Sequence, residues 1–272
     1  MGHLYRSLTC APWARCVAVA LLVALCALAG DRMTPARASH RIDLPRLMLW
    51  AWDRDDDLRF LDARDTGVAF LAATLTLRGD GVVLTPRHNP LTLTEGIKRV
   101  AVVHVEIDHA TPPLLSGDQM RRFVEAIAAI SDEIPHNMLQ VDYEAVASQR
   151  AFFIDAMAAL RLRLPGAPLS VTALASWCAN ETWTARLDTD EVVPMLFRMG
   201  YDGRRVRALF ANGGDFRSAG CRTSFGVATN ELPSVLPGGR RVYVFSPRRW
   251  SQESYNIVRA RIGQWSRDRL PD

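Results

Sequence analysis

Lysine is almost missing from this chain: Lys98 is the single lysine among 33 basic residues. The remaining positive charge is arginine, and no basic stripe interleaved with aromatics stands out, so the formal +4 does not argue for a nucleic-acid partner. A glycine-rich phosphate turn is also missing after Trp52, where a doubly wound nucleotide-binding sheet would carry one. There is no internal repeat, no heptad pattern and no second domain in the composition. What remains is a chain of 272 residues, 49% apolar, which is long enough to bury one large core.

Cysteine is sparse as well, and its placement divides the chain. Arg6 and Arg15 precede an apolar run from Cys16 to Ala29 that is too short for a mature spanning helix and ends in small residues. This reads as an export signal, with residues 1–38 as signal peptide and leader and 39–272 as the mature domain. Cleavage after Ala29 or after Ala38 satisfies the small-x-small rule, and an uncleaved membrane anchor is the competing reading. Cys26 is a poor lipid-attachment site because Leu25 before it is large. Export implies a periplasmic or secreted protein whose only membrane contact is that segment. Losing residues 1–29 removes two arginines and no acid, so the charge falls from +4 to +2. Cys10, Cys16 and Cys26 lie in or before the signal, which leaves Cys178 and Cys221 as an even pair in an oxidising compartment. A disulfide between them is expected, contributing about 4 kcal/mol by the chain-entropy estimate; two buried free thiols are the alternative.

Eight β-rich apolar runs follow, at about 47–52, 67–75, 99–107, 138–144, 169–177, 191–198, 222–228 and 241–246. Helical stripes lie between several of them: Met120, Phe123, Val124, Ile127 and Ile130 behind Ser116 and Gln119, which open like a capping box; Phe153, Met157 and Leu160 after Ser148; Tyr255, Val258, Ile262 and Trp265 after Ser251. Residues 77–83 suggest a hairpin tip, and the stretches 53–65 and 179–190 leave room for a turn or two of helix. The expectation is an α/β fold, a single compact (β/α)8 TIM-like barrel with some short or missing helices.

In such a barrel alternate strand residues face the lumen, and function gathers at the C-terminal strand ends. On the fourth run Gln140, Asp142 and Glu144 share one face, with Val141 and Tyr143 on the other; on the third, His104, Glu106 and Asp108 oppose Val103, Val105 and Ile107. Two adjacent strands therefore aim polar triplets at one cavity, where burying acids without partners costs several kcal/mol. An ion network with Arg198 is the structural alternative. Trp50, Trp52, Trp177, Trp183, Tyr201 and Trp250 fall near the same predicted rim, and indole faces stack on sugar rings. A metal reading of His104, Glu106, Asp108 and His109 is possible by donor type. No metal or other cofactor is called for by the leading reading. His88 and His136 fall in apparent loops without evident partners.

Val141-Asp142-Tyr143-Glu144 resembles the end of the fourth-strand Asp-x-Glu motif of chitinase-like family 18 glycoside hydrolases, Met199-Gly200-Tyr201-Asp202 resembles their Met-x-Tyr-Asp segment, and Trp250 sits where their last strand offers a tryptophan floor. Residues 137–140 lack the upstream aspartates of that motif, and the third strand lacks Ser-x-Gly-Gly. Leu49-Trp50-Ala51-Trp52-Asp53, residues 140–145 and Ala175-Ser176-Trp177-Cys178 resemble exported bacterial proteins of unknown function with a glycosidase-like barrel. The resemblance implies Glu144 as proton donor and Asp142 as the group that orients an N-acetyl substituent or stabilises the developing cation. Glu106, His104, Asp108, Gln140, Trp50, Trp52, Trp177, Tyr201, Asp202 and Trp250 would bind an oligosaccharide or polysaccharide. The alternative is a non-catalytic saccharide-binding or envelope-associated barrel. Oligomeric state is not legible.

Overall fold

A computed structural model describes residues 42–267. The signal, its cleavage sites and Cys26 lie outside the described residues. All eight runs form strands: β1 (Leu47–Ala51), β3 (Thr66–Arg78), β6 (Arg99–Ile107), β7 (Met138–Asp142), β8 (Leu169–Leu174), β9 (Glu191–Met195), β10 (Ser224–Ala228) and β11 (Arg241–Phe245). They pair in parallel in that order, and β1 pairs with both β11 and β3, which closes the barrel. Hydrophobic β-branched runs suit strands covered on both faces.

Helices follow five of the strands: α1 (Gly117–Glu133) after β6, α2 (Arg150–Arg163) after β7, α3 (Ala175–Asn180) after β8, α4 (Gly203–Ala211) after β9 and α5 (Gln252–Arg267) after β11. None among the described residues is long and apolar enough to cross a membrane. The second unit carries a hairpin instead, β3 turning at Gly79 into antiparallel β4 (Gly81–Pro86). A small parallel pair, β2 (Asp56–Leu58) and β5 (Leu91–Leu93), lies apart from the barrel sheet. Ser116 caps α1 by accepting from the Gln119 amide at 3.0 Å, but the Gln119 side chain reaches back to the Leu115 amide, one residue earlier than a capping box requires. Its amide nitrogen donates to the Gly79 and Gly81 carbonyls, so one side chain ties the helix start to the hairpin. α4 had no expected counterpart, because its Arg-rich segment has few apolar positions to register a stripe.

Two separate apolar sets follow from the alternation. The larger fills the layer between strands and helices; Tyr143 belongs to it and meets Phe153 edge-on at 5.2 Å. The smaller fills the lumen with Met48, Trp50, Ala69, Val100, Val102, Met138, Val193 and Tyr243. Gly226 makes this possible, since a Cβ there would lie 2.6 Å from the Trp50 indole. A buried polar chain crosses the same space. Trp50 Nε1 donates to Gln140 Oε1 (2.9 Å), Gln140 Nε2 to Ser170 Oγ (3.0 Å) and Ser170 Oγ to Glu191 Oε2 (3.2 Å). Tyr243 donates to the same Glu191 oxygen at 2.7 Å, and Arg241 pairs with the other. The carboxylate is 0% exposed, and beside it burial first, then the Glu191 charge, push the Tyr243 phenol well above its ordinary pKa.

The expected disulfide is present between Cys178 and Cys221, tying α3 to the turn before β10. Reduction with Cys178→Ser/Cys221→Ser as the matched variant is expected to cost about 4 kcal/mol of stability. Glu191→Leu, which strands Arg241 and the Tyr243 hydroxyl, is expected to cost about 3–5 kcal/mol. Urea unfolding followed by tryptophan fluorescence measures both; a loss below about 1 kcal/mol for Glu191→Leu would contradict the lumen analysis.

Candidate active site

Register decides which polar residues meet. β6 and β7 pair with His104 beside Asp142, and β3 has a register shift between Leu71 and Ala73 that brings Thr74 beside His104. A bulge of this kind turns the following residues to the other face, as bulges near functional sites commonly do. His104 Nδ1 lies 2.8 Å from Asp142 Oδ2, and Thr172 on β8 donates to Asp142 Oδ1. Asp142 is therefore buried with both oxygens engaged.

These residues form the floor of a cavity of about 230 Å³ at the C-terminal strand ends, lined by Trp50, Trp52, Val102, His104, Asp142, Glu144, Thr172, Met195, Phe197, Arg198 and Phe245. Trp52 meets His104 edge-on at 5.5 Å and Phe245 at 6.2 Å, and Phe197 stacks on Phe245 at 5.7 Å with planes 8° apart. Trp52 is aimed by the segment that follows it. Arg87 donates to the carbonyls of Ala51 (3.1 Å), Trp52 (2.7 Å) and Arg54, while Asp53 accepts from the backbone amides of His88 and Asn89.

Electrostatics acts on Glu144 and His104. Burial first, then the Asp142 charge, raise the Glu144 pKa; the positive charges of His104 and Arg198 oppose this without cancelling it. Glu144 also borders a second recess, lined among others by Ile107, Pro113, Tyr143 and Val146, so it stands on a ridge with one side open to solvent and the other against protein. For His104, burial disfavours the imidazolium, but the Asp142 hydrogen bond and charge, helped by Glu106 and Glu144, outweigh it and raise the pKa. Glu106 Oε1 is 3.6 Å from His104 Nε2.

Other expected site residues lie elsewhere. Gln140 faces the lumen as expected but is fully buried beneath the cavity, in the Trp50 to Glu191 chain. Glu106 is half-exposed and outside the cavity lining. Asp108 instead accepts from the Ala110 and Thr111 amides and pairs with Arg78 at 3.1 Å, because the strand has ended and the chain turns. Trp177 does not line the cavity: the chain enters α3 at Ala175, which ends strand alternation and buries the indole against Trp183 under Arg150. Trp250 is buried outside the barrel wall, where its Nε1 donates to the Trp50 carbonyl at 2.9 Å. Tyr201 and Asp202 sit in the turn Gly200–Asp202, away from the cavity lining, with Tyr201 97% exposed. Among the described residues no group of three or more His, Cys, Asp or Glu is placed to hold a metal, so His104, Glu106, Asp108 and His109 do not converge as a ligand set.

Thr172, Met195, Phe197 and Phe245 were missed. Their signal was available, since each continues the lumen-facing parity of its strand: Ser170 to Thr172, Val193 through Met195 to Phe197, and Tyr243 to Phe245.

No family model matches the chain, and no curated protein matches it. Among solved structures, a Streptomyces coelicolor protein provisionally assigned as chitinase A is similar to it, with 9% identity and a TM-score of 0.47 over 82% of this chain and 96% of that one.

A histidine whose folded pKa is raised contributes stability that is fully present below its unfolded value and is lost as pH rises through the folded one. The stability gap between the wild type and His104→Asn is therefore expected to be widest below about pH 6.5, the ordinary histidine value, and to narrow at higher pH. Thermal melts across pH 5–9, a range chosen as roughly two units either side of neutrality, provide the check; a gap that widens with pH would contradict the His104–Asp142 pairing.

Proposed function

We propose that the protein is a glycoside hydrolase-like enzyme acting on an envelope or extracellular polysaccharide, with Glu144 as the proton donor. The observation that carries this reading is the position of Glu144: it overhangs the cavity at the strand ends, and burial together with the neighbouring Asp142 favours its protonated form. A general acid needs both reach and a retained proton. Trp52, Phe197 and Phe245 would offer ring faces and edges to a sugar. Asp142, held by His104 and Thr172, would stabilise positive charge developing at the anomeric carbon or orient an N-acetyl group. The amino-terminal sequence supports a periplasmic or secreted setting for this chemistry.

A second reading is a saccharide-binding barrel without turnover. It is favoured by the engagement of both Asp142 oxygens and by Gln140, rather than an acid, beneath Asp142. In that case the cavity lacks a free carboxylate to act as nucleophile or base.

The two readings separate with residues 39–272 incubated with peptidoglycan fragments, chito-oligosaccharides and exopolysaccharides, with products identified by mass. Glu144→Gln is expected to reduce turnover by at least about 100-fold while leaving saturable binding. The wild-type rate is expected to fall on the alkaline side as pH passes the raised Glu144 pKa, because the donor then loses its proton. Unchanged hydrolysis in Glu144→Gln would remove Glu144 as donor; binding without product from the wild type would favour the second reading.

A further inference from the structure

The cavity is lined by four charged or titratable groups, His104, Asp142, Glu144 and Arg198. His104 and Asp142 pair with each other at 2.8 Å. Arg198 stands outside that pair. Among the described residues no carboxylate lies within ion-pair distance of its guanidinium; its contact is with the Phe245 ring, 5.8 Å below. Glu106, the other nearby acid, lies on the far side of His104, half-exposed to water, where its charge is screened.

The backbone is also arranged to place this side chain. Arg198 has φ +50°, a left-handed conformation that costs energy for a residue with a Cβ, and its amide is fixed by Glu231 Oε2 at 3.0 Å. That hydrogen bond uses Glu231 on the main chain. Phe245 supports the guanidinium from one face, leaving its planar fork of donors for a ligand. Arg198 is exposed and lines the cavity, so its guanidinium stands where an incoming anion can reach it.

We propose that the cavity takes an anionic saccharide whose carboxylate or sulfate ester is held by Arg198. This rests on the reading of the cavity as a saccharide site, and names the class of sugar. Arg198 would act as the specificity-determining residue. It would seat the anionic group on the Phe245 side, away from Asp142, and the ring on Trp52. Bidentate pairing of a guanidinium with a carboxylate or sulfate supplies both orientation and strength.

The test is calorimetric binding by the mature protein of glucuronate-, galacturonate- and mannuronate-containing oligosaccharides, each with its carboxyl-reduced counterpart, and of a sulfated neutral oligosaccharide. At least one acidic member is expected to bind about 10-fold or more tightly than its neutral partner, a difference of about 1.4 kcal/mol, with the preference shrinking as salt rises. The carboxylate and sulfate arms identify which anion is read. Arg198→Gln is expected to bring the ratio close to one, and Arg198→Lys, which keeps the charge, to restore part of it. The proposal is overturned if neutral forms bind as well as every anionic one, if nothing binds, or if the preference survives in Arg198→Gln. Cleavage of neutral chito-oligosaccharides without charge preference would leave the hydrolase reading standing and this one not. Arg198-dependent binding of an acidic sugar with no product would do the reverse.

Discussion

The constraint on which the rest depends is the buried Glu191 carboxylate in the barrel lumen. An acid removed from water is tolerated only if its oxygens are satisfied, and Glu191 is satisfied by Arg241, Tyr243 and Ser170. Those partners belong to β11 and β8, and Ser170 carries the chain on to Gln140 of β7 and then Trp50 of β1. One polar chain thus links five of the eight strands, Glu191 itself lying on β9, across a space otherwise filled by Met48, Val100, Val102, Met138 and Val193. A slip by one residue in any of these strands would place an apolar side chain opposite an unsatisfied polar group.

The cavity stands directly on this platform. Gln140, Asp142 and Glu144 succeed each other on one face of the same segment, so fixing Gln140 in the lumen sets the height and direction of the two acids above it. The step from Gln140 to Glu144 is also a step from full burial to solvent. Asp142, in between, is buried enough to need His104 and Thr172; Glu144, at the ridge, is exposed on one side, and burial on the other raises its pKa.

The outer layer serves the site by holding strand ends in place. The Cys178–Cys221 bond braces α3 against the approach to β10, and Trp250 donates a hydrogen bond to the Trp50 carbonyl near the end of β1. Arg87 clamps the carbonyls of Ala51, Trp52 and Arg54 at the end of β1 and just beyond it, which keeps Trp52 over the cavity. Each of these contacts has one partner in a loop or short turn, where position is otherwise weakly specified.

The sequence by itself determined the eight strands, their lumen-facing parity, the hairpin, the long helices and the disulfide. Period-two alternation, helical stripes and a surviving cysteine pair are local signals, and the barrel agrees with them because both faces of each strand must be buried. It also placed His104, Asp142 and Glu144 on one cavity wall. Tertiary structure alone decided what those residues touch. Strand register made Asp142 the partner of His104 rather than of Arg198, and the β3 register shift brought Thr74 alongside. Trp177, Tyr201 and Trp250 were assigned to the rim by extending strand alternation past the strand ends, where the chain had already turned into a helix or loop and the parity no longer held. Glu191 escaped notice because a lone acid at the start of a strand reads as solvated; only its partners, brought from 21 and more than 50 residues away, show that it is buried. The lack of a carboxylate partner for the Arg198 guanidinium among the described residues belongs to the same class of fact, since whether a charge is paired depends on distances that no stretch of sequence contains.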